Sequence, residues 1–118
     1  MSDAAHRHVR DGTPLVISTA EHDDRVVLAL SGELDLATAE DLRRAAVRAE
    51  ASGRQRLVVD LSALQFIDSS GIHLIVQLAN RMRARGPELS VVRGPDPVHR
   101  VFELCRLDQE LPFADPPR

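Results

Sequence analysis

Short β-branched and aliphatic runs recur along this chain, separated by segments of helical period, and that alternation leaves few folds open. Residues 15–19 alternate and carry β-branched side chains, which predicts a strand. His22-Asp23-Asp24 reads as a turn, and 25–30 as a second strand with Val26, Leu28 and Leu30 on one face. So short a connection makes the pair an antiparallel hairpin. Gly32-Glu33-Leu34-Asp35-Leu36 reads as a loop. Thr38 with Asp41 three residues on resembles a capping box. Leu42, Ala45, Ala46 and Ala49 then recur at helical spacing, so 39–52 is predicted as a helix stopped by Gly53.

Leu57-Val58-Val59-Asp60-Leu61 is almost continuously apolar, as in a central strand covered on both faces. Residues 62–68 are then the loop at its carboxyl end, and a second helix runs from about 70 to 85, ahead of Gly86-Pro87. Its apolar stripe is wider than one buried face needs, which offers Ile72 and Leu74 as contact surface. A strand at 89–92 comes next. Asp96-Pro97 reads as a cap with proline at the first helical position, opening a third helix that buries Val98, Val101, Phe102 and Cys105. Residues 110–114 supply a last short strand. The order β-β-α-β-α-β-α(-β) predicts an α/β fold, a mixed sheet with right-handed crossovers.

Composition narrows the function. A chain of 118 residues fits one domain, expected over 13–114 between a polar tail at 1–12 and a short tail at 115–118. The net charge is −3 and aromatic residues are 3%, without Trp or Tyr. That lacks both the basic face and the stacking platforms of a nucleic-acid binder. All 15 cationic side chains are Arg, which excludes lysine nucleophiles and Schiff bases. Cys105 is the sole cysteine, so no disulfide framework or thiolate metal cluster forms within one chain, and a reducing, cytoplasmic setting fits. His6 and His8 on the tail read as solvated side chains rather than a metal pair. No cofactor is implied. The apolar stretch at 72–78 is broken by His73 and Gln77 and is too short to span a membrane. No apolar leader core stands at 1–12.

The segment that carries chemistry is Phe66-Ile67-Asp68-Ser69-Ser70-Gly71-Ile72, which joins a buried strand to a helix start. Functional loops of α/β sheets gather at the carboxyl ends of strands, and a helix N-terminus favours negative charge such as a phosphate. Asp68, Ser69 or Ser70 would serve as an ordinary cap. A cap alone does not account for two serines followed by Gly71, which costs the helix about 1 kcal/mol. His73, four residues after Ser69, shares its helix face, but no strained elbow of the G-x-S-x-G kind surrounds Ser69, so a catalytic serine is not supported. Asp35 alone reads as a turn residue.

Two motifs together go further. Ser31-Gly32-Glu33-Leu34-Asp35, with Phe66-Ile67-Asp68-Ser69-Ser70-Gly71 downstream, closely resembles the STAS domain of bacterial anti-sigma factor antagonists, over about residues 15–111. The resemblance implies a sheet of four to five strands with helices packed largely on one face. It also implies a binding protein, not an enzyme, whose partner is an anti-sigma factor with serine kinase activity. Binding would free a sigma factor. Phosphorylation at the position matching Ser69 would end the complex, and a serine phosphatase would reset it. Asp35, Asp68, Ser70, Gly71, Ile72 and His73 match or adjoin the partner surface. His73 stands where many members carry a small residue. The competing reading is a STAS subunit without a switch, part of a stress-sensing or lipid-transport complex.

Overall fold

The computed structural model describes residues 13–116. The expected tail at 1–12, with His6 and His8, lies outside the described residues, as do residues 117–118. β1 (Val16–His22) and β2 (Arg25–Leu34) form the opening hairpin. It turns at Asp23, which holds a φ of 55° that aspartate tolerates better than most side chains. Then come α1 (Ala39–Ala51), β3 (Arg56–Ile67), α2 (Ser69–Arg85), β4 (Glu88–Val92), α3 (Asp96–Leu104) and β5 (Phe113–Ala114).

The five strands lie side by side in the order of the chain. β1 is antiparallel to β2, and every later pair is parallel. A sheet that grows in one direction through right-handed crossovers sets all its crossover helices on the same face. The buried side chains agree: Val26, Leu28, Leu30 and Leu34 of β2 alternate with half-buried neighbours, as do Leu57, Val59 and Leu61 of β3. They meet Leu42, Ala46 and Ala49 of α1, Ile75 and Leu78 of α2, and Val98 and Phe102 of α3 in one core.

Several expectations need correction. β3 is the central strand, but only one of its faces is sealed; Val58 and Asp60 on the other are half-buried. The two expected loops at 32–36 and 62–68 are largely strand. β2 and β3 stay paired through Ser31–Ala63, Gly32–Leu64, Glu33–Phe66 and Leu34–Ile67, with two register shifts. Those shifts put extra residues in β3 and break its period-2 pattern, while β2 keeps its own to Leu34. Gly32 borders the second of them with φ +90°, and a Cβ there would lie 2.0 Å from the Pro14 carbonyl oxygen. The start of α3 is displaced by one residue: Pro95 is the capping residue, and Asp96 and Pro97 are the first two helical positions. Cys105 falls after that helix and is exposed, while His99 takes a buried place beside Phe102 and Phe113. The final strand is two residues long rather than five.

Candidate functional site

The carboxyl ends of β2 and β3 are adjacent, and each leads within a few residues into a helix. Both junctions are capped by an aspartate. At the first, Asp35 Oδ1 accepts the Thr38 N–H at 3.1 Å, while the Asp35 N–H donates to Thr38 Oγ1 at 2.9 Å. The Thr38 hydroxyl proton has acceptors in the Glu33 carbonyl at 3.0 Å and Asp35 Oδ1 at 3.1 Å. This is the reciprocal geometry of a capping box, but its members are Asp35 and Thr38, three residues ahead of the pair expected at Thr38 and Asp41. Thr38 makes no side-chain bond to the start of α1. Asp35 is only 7% exposed.

At the second junction Asp68 caps α2. Its Oδ1 accepts the N–H groups of Ser70 at 2.9 Å and Gly71 at 3.1 Å. Its Oδ2 accepts the Leu36 N–H at 3.2 Å, and its own N–H donates to the Leu34 carbonyl at 3.1 Å. One residue thus ends β3, starts α2 and holds the neighbouring junction. Because Asp68 takes the capping role, neither serine is needed for it. Ser69 is the first residue of α2, exposed, and its hydroxyl has no hydrogen-bond partner among the described residues. Ser70 is half-buried.

Gly71 owes its identity to packing. A Cβ there would lie 2.8 Å from Leu34 Cγ and 2.9 Å from Ile67 Cγ1, so the first turn of α2 rests directly on the ends of β2 and β3. Ile72, 6% exposed, and Leu74, which also lines the groove between α1 and α2, pack into the core, so little of either is exposed. Exposed apolar surface is supplied instead by Leu36, 78% exposed, whose backbone is fixed by Asp68.

Leu36 stands at the rim of a groove of about 550 Å³ between the starts of α1 and α2. Ser69, His73 and Gln77 line it at successive turns of α2, and Ala39, Glu40 and Arg43 line it from α1. His73 is exposed. Arg43 donates from Nε to Glu40 Oε1 at 2.9 Å and from Nη2 to Oε2. Those hydrogen bonds hold the Glu40 carboxyl below the usual carboxylate range and raise the Arg43 guanidinium above its own. The structure therefore brings Asp68, Ser69, Ser70 and His73 to one surface and sets Asp35, Gly71 and Ile72 beneath it. Sequence reasoning missed Leu36, Glu40 and Arg43. The signal was in the crossover rule, which places α1 beside α2 on the same face of the sheet. Among the described residues no group of three or more His, Cys, Asp or Glu side chains is placed to hold a metal.

The family model of the STAS domain matches residues 16–116. This chain belongs to the STAS domain family. Across 102 residues it is 31% identical to the anti-sigma F factor antagonist of Paenibacillus polymyxa, covering 86% of this chain and 87% of that one. It is 30% identical over 95 residues to the anti-sigma-F factor antagonist RsfB of Mycobacterium tuberculosis, covering 80% and 77%. Among solved structures, that of an anti-sigma factor antagonist from Mycobacterium paratuberculosis superposes with a TM-score of 0.77 at 28% identity, covering 88% of this chain and 87% of that one. The sheet order and the helix positions described above are thus those of a STAS domain, and the two capped junctions lie within the matched span.

Proposed function

We propose that this STAS domain is an anti-sigma factor antagonist, a regulatory binding protein that docks on an anti-sigma factor with serine kinase activity and so frees a sigma factor. Phosphorylation of Ser69 ends the docking, and a serine phosphatase restores it. The observation that carries this reading is the Ser69 hydroxyl: exposed, without a partner among the described residues and relieved of capping by Asp68. In the transfer, that oxygen would attack the γ-phosphorus of ATP, ADP would leave with the broken P–O bond, and the hydroxyl proton would pass to a base of the kinase.

The partner surface in this reading comprises Leu36, Ser69, Ser70 and His73, with Asp68 at its rim. Asp35, Gly71 and Ile72 act from below, by fixing the backbone that presents it. A phosphate adds about −1.5 to −2 charges at pH 7. Buried in an interface and set beside Asp68, that charge brings desolvation and repulsion. In the free protein it stays in water, so the phosphorylated chain remains folded. The cytoplasm is the compartment in which such a partner would be met, and no described helix is long and apolar enough to cross a membrane.

The test is capture by a Ser69→Ala bait in the presence of ATP. The variant is expected to hold an ATP-binding anti-sigma factor that the wild-type chain releases, with phosphate found on Ser69 of the wild-type protein. Release of the variant by ATP would sink the switch. Capture of a transporter or a large sensory assembly, with no phosphate on Ser69, would instead establish the unswitched subunit.

A further inference from the structure

Among the described residues the start of its own helix offers a phosphate on Ser69 one uncommitted amide, that of Ser69 itself. The next two N–H groups, those of Ser70 and Gly71, are already bound to Asp68 Oδ1. The same carboxylate is engaged through Oδ2 with Leu36. The backbone therefore offers an anion on Ser69 no more than that single N–H, and Asp68 repels it. The cationic groups facing it lie across and along the groove. Arg43 comes from α1, and His73 comes from α2 one turn after Ser69, about 6 Å along the axis.

Resting on the functional reading above, we infer that Arg43 and His73 form the receptor for the phosphate of phosphorylated Ser69, so that the modified groove closes on its own anion. Arg43 need not give up Glu40 to take part. Its Nε and Nη2 serve that carboxylate, while Nη1 has no hydrogen-bond partner among the described residues. A guanidinium carries five N–H donors in a planar fork, enough for a carboxylate on one edge and a phosphate on another. Glu40 keeps the arginine over the groove, while adding its own negative charge there. The ionisable groups facing the phosphate are thus Glu40 and Arg43 from α1, His73 from α2, and Asp68 at the junction before it. Two attract and two repel, and the phosphate's own ionisation reports the balance.

The inference also gives His73 a use. In an unmodified groove it is an exposed side chain without a hydrogen bond among the described residues. Beside a phosphate, its protonated ring becomes a charge-assisted donor in the i, i+4 position. Phosphorylation would then do more than add charge: it would occupy the groove between α1 and α2 and tie its two walls together. A partner side chain seeking that space would meet a closed surface.

The experiment uses the full chain with phosphoserine installed at position 69 during synthesis, so that no kinase is required. Phosphorus NMR follows the second ionisation of the phosphate, which lies near pH 6 in free phosphoserine. The expected result is a midpoint below that of the same chain unfolded in urea. Arg43→Gln and His73→Gln should each raise it by about half a unit, as loss of a nearby cation does. Arg43→Lys should keep part of the shift, and Glu40→Gln should lower the midpoint further. All the substituted positions are exposed, and amide spectra verify that each variant is folded. Midpoints that stay together in wild type, Arg43→Gln and His73→Gln would overturn the receptor. Tight binding of the phosphorylated chain to an anti-sigma factor would overturn the switch instead, while a shifted midpoint would still establish the receptor.

Discussion

The two β-to-α junctions of this domain are built on one plan and end in opposite states. Each has an aspartate cap at the end of a parallel strand and a hydroxyl residue close by. At the first, Asp35 and Thr38 consume one another: the threonine oxygen accepts one bond, and its proton lies within reach of three acceptors. At the second, the aspartate does all the capping, and Ser69 is left with a hydroxyl that no described residue uses. The difference separates a group that holds a fold from a group that is presented by it. A hydroxyl beside a helix start is most often the former; it becomes available for chemistry when a neighbour has already satisfied the backbone.

That contrast can be broken by substitution, read by urea denaturation. Asp35→Ala should have the largest effect, a loss of about 2–3 kcal/mol, because it removes a cap and strands buried polar groups. Gly71→Ala should cost about 1–3 kcal/mol, since its methyl must displace Leu34 and Ile67 from a packed core. A cost near zero would mean that the start of α2 is looser than described. Asp68→Ala should cost about 1 kcal/mol as a half-buried cap, and should also speed amide exchange at Leu36, whose N–H it holds. Ser69→Ala should fall within about 0.5 kcal/mol of wild type. A larger loss would show that Ser69 supports the helix after all and would erase the distinction between the junctions.

The smallest effect concerns Glu40. Its carboxyl pKa is lowered in the folded chain, chiefly by the hydrogen bond from Arg43. A carboxylate whose folded pKa lies below its unfolded one adds stability above the unfolded value and loses it as pH falls through the folded one. The pair is exposed, so solvent and salt screen it. Carboxyl NMR titration should show the Glu40 midpoint moving up in Arg43→Gln, with little change in global stability.

Much of the fold was legible in the chain, for reasons that differ by element. Helices α1 and α2 could be read because their buried residues recur with a period that survives in sequence. The hairpin could be read because its turn is short and polar. The ends of β2 and β3 could not: the register shifts put extra residues in β3 and disturb its alternation, while β2 ends through Gly32, a poor strand former held at φ +90°. The Asp68-Ser69-Ser70-Gly71 segment stood out in the sequence as a candidate site, but its hydrogen bonding did not. Three of its four residues are common helix-start types, and only coordinates show which one takes the amides. Gly71 drew attention as a cost without a reason; the reason, a contact with Leu34 of another strand, depends on tertiary structure alone. Leu36 and Arg43 are ordinary in sequence and matter only because parallel crossovers set α1 against α2.

The strand order β1-β2-β3-β4-β5 has a consequence for how the molecule assembles. Every strand pairs with the one made just before it, although each parallel pair forms only once the crossover through its helix has closed. Parallel pairing of this kind is slower than the closing of local contacts, but the order lets the chain grow by accretion, adding a β-α unit at a time. Both capped junctions are complete once Arg85 has been placed. The remaining elements, β4, α3 and a two-residue β5, extend the sheet from the edge. The last-added strand is also the shortest and the first expected to fray under native conditions. Opening there unmakes none of the contacts that hold Asp35 and Asp68, so the end that carries the candidate site is able to outlast partial unfolding of the other edge.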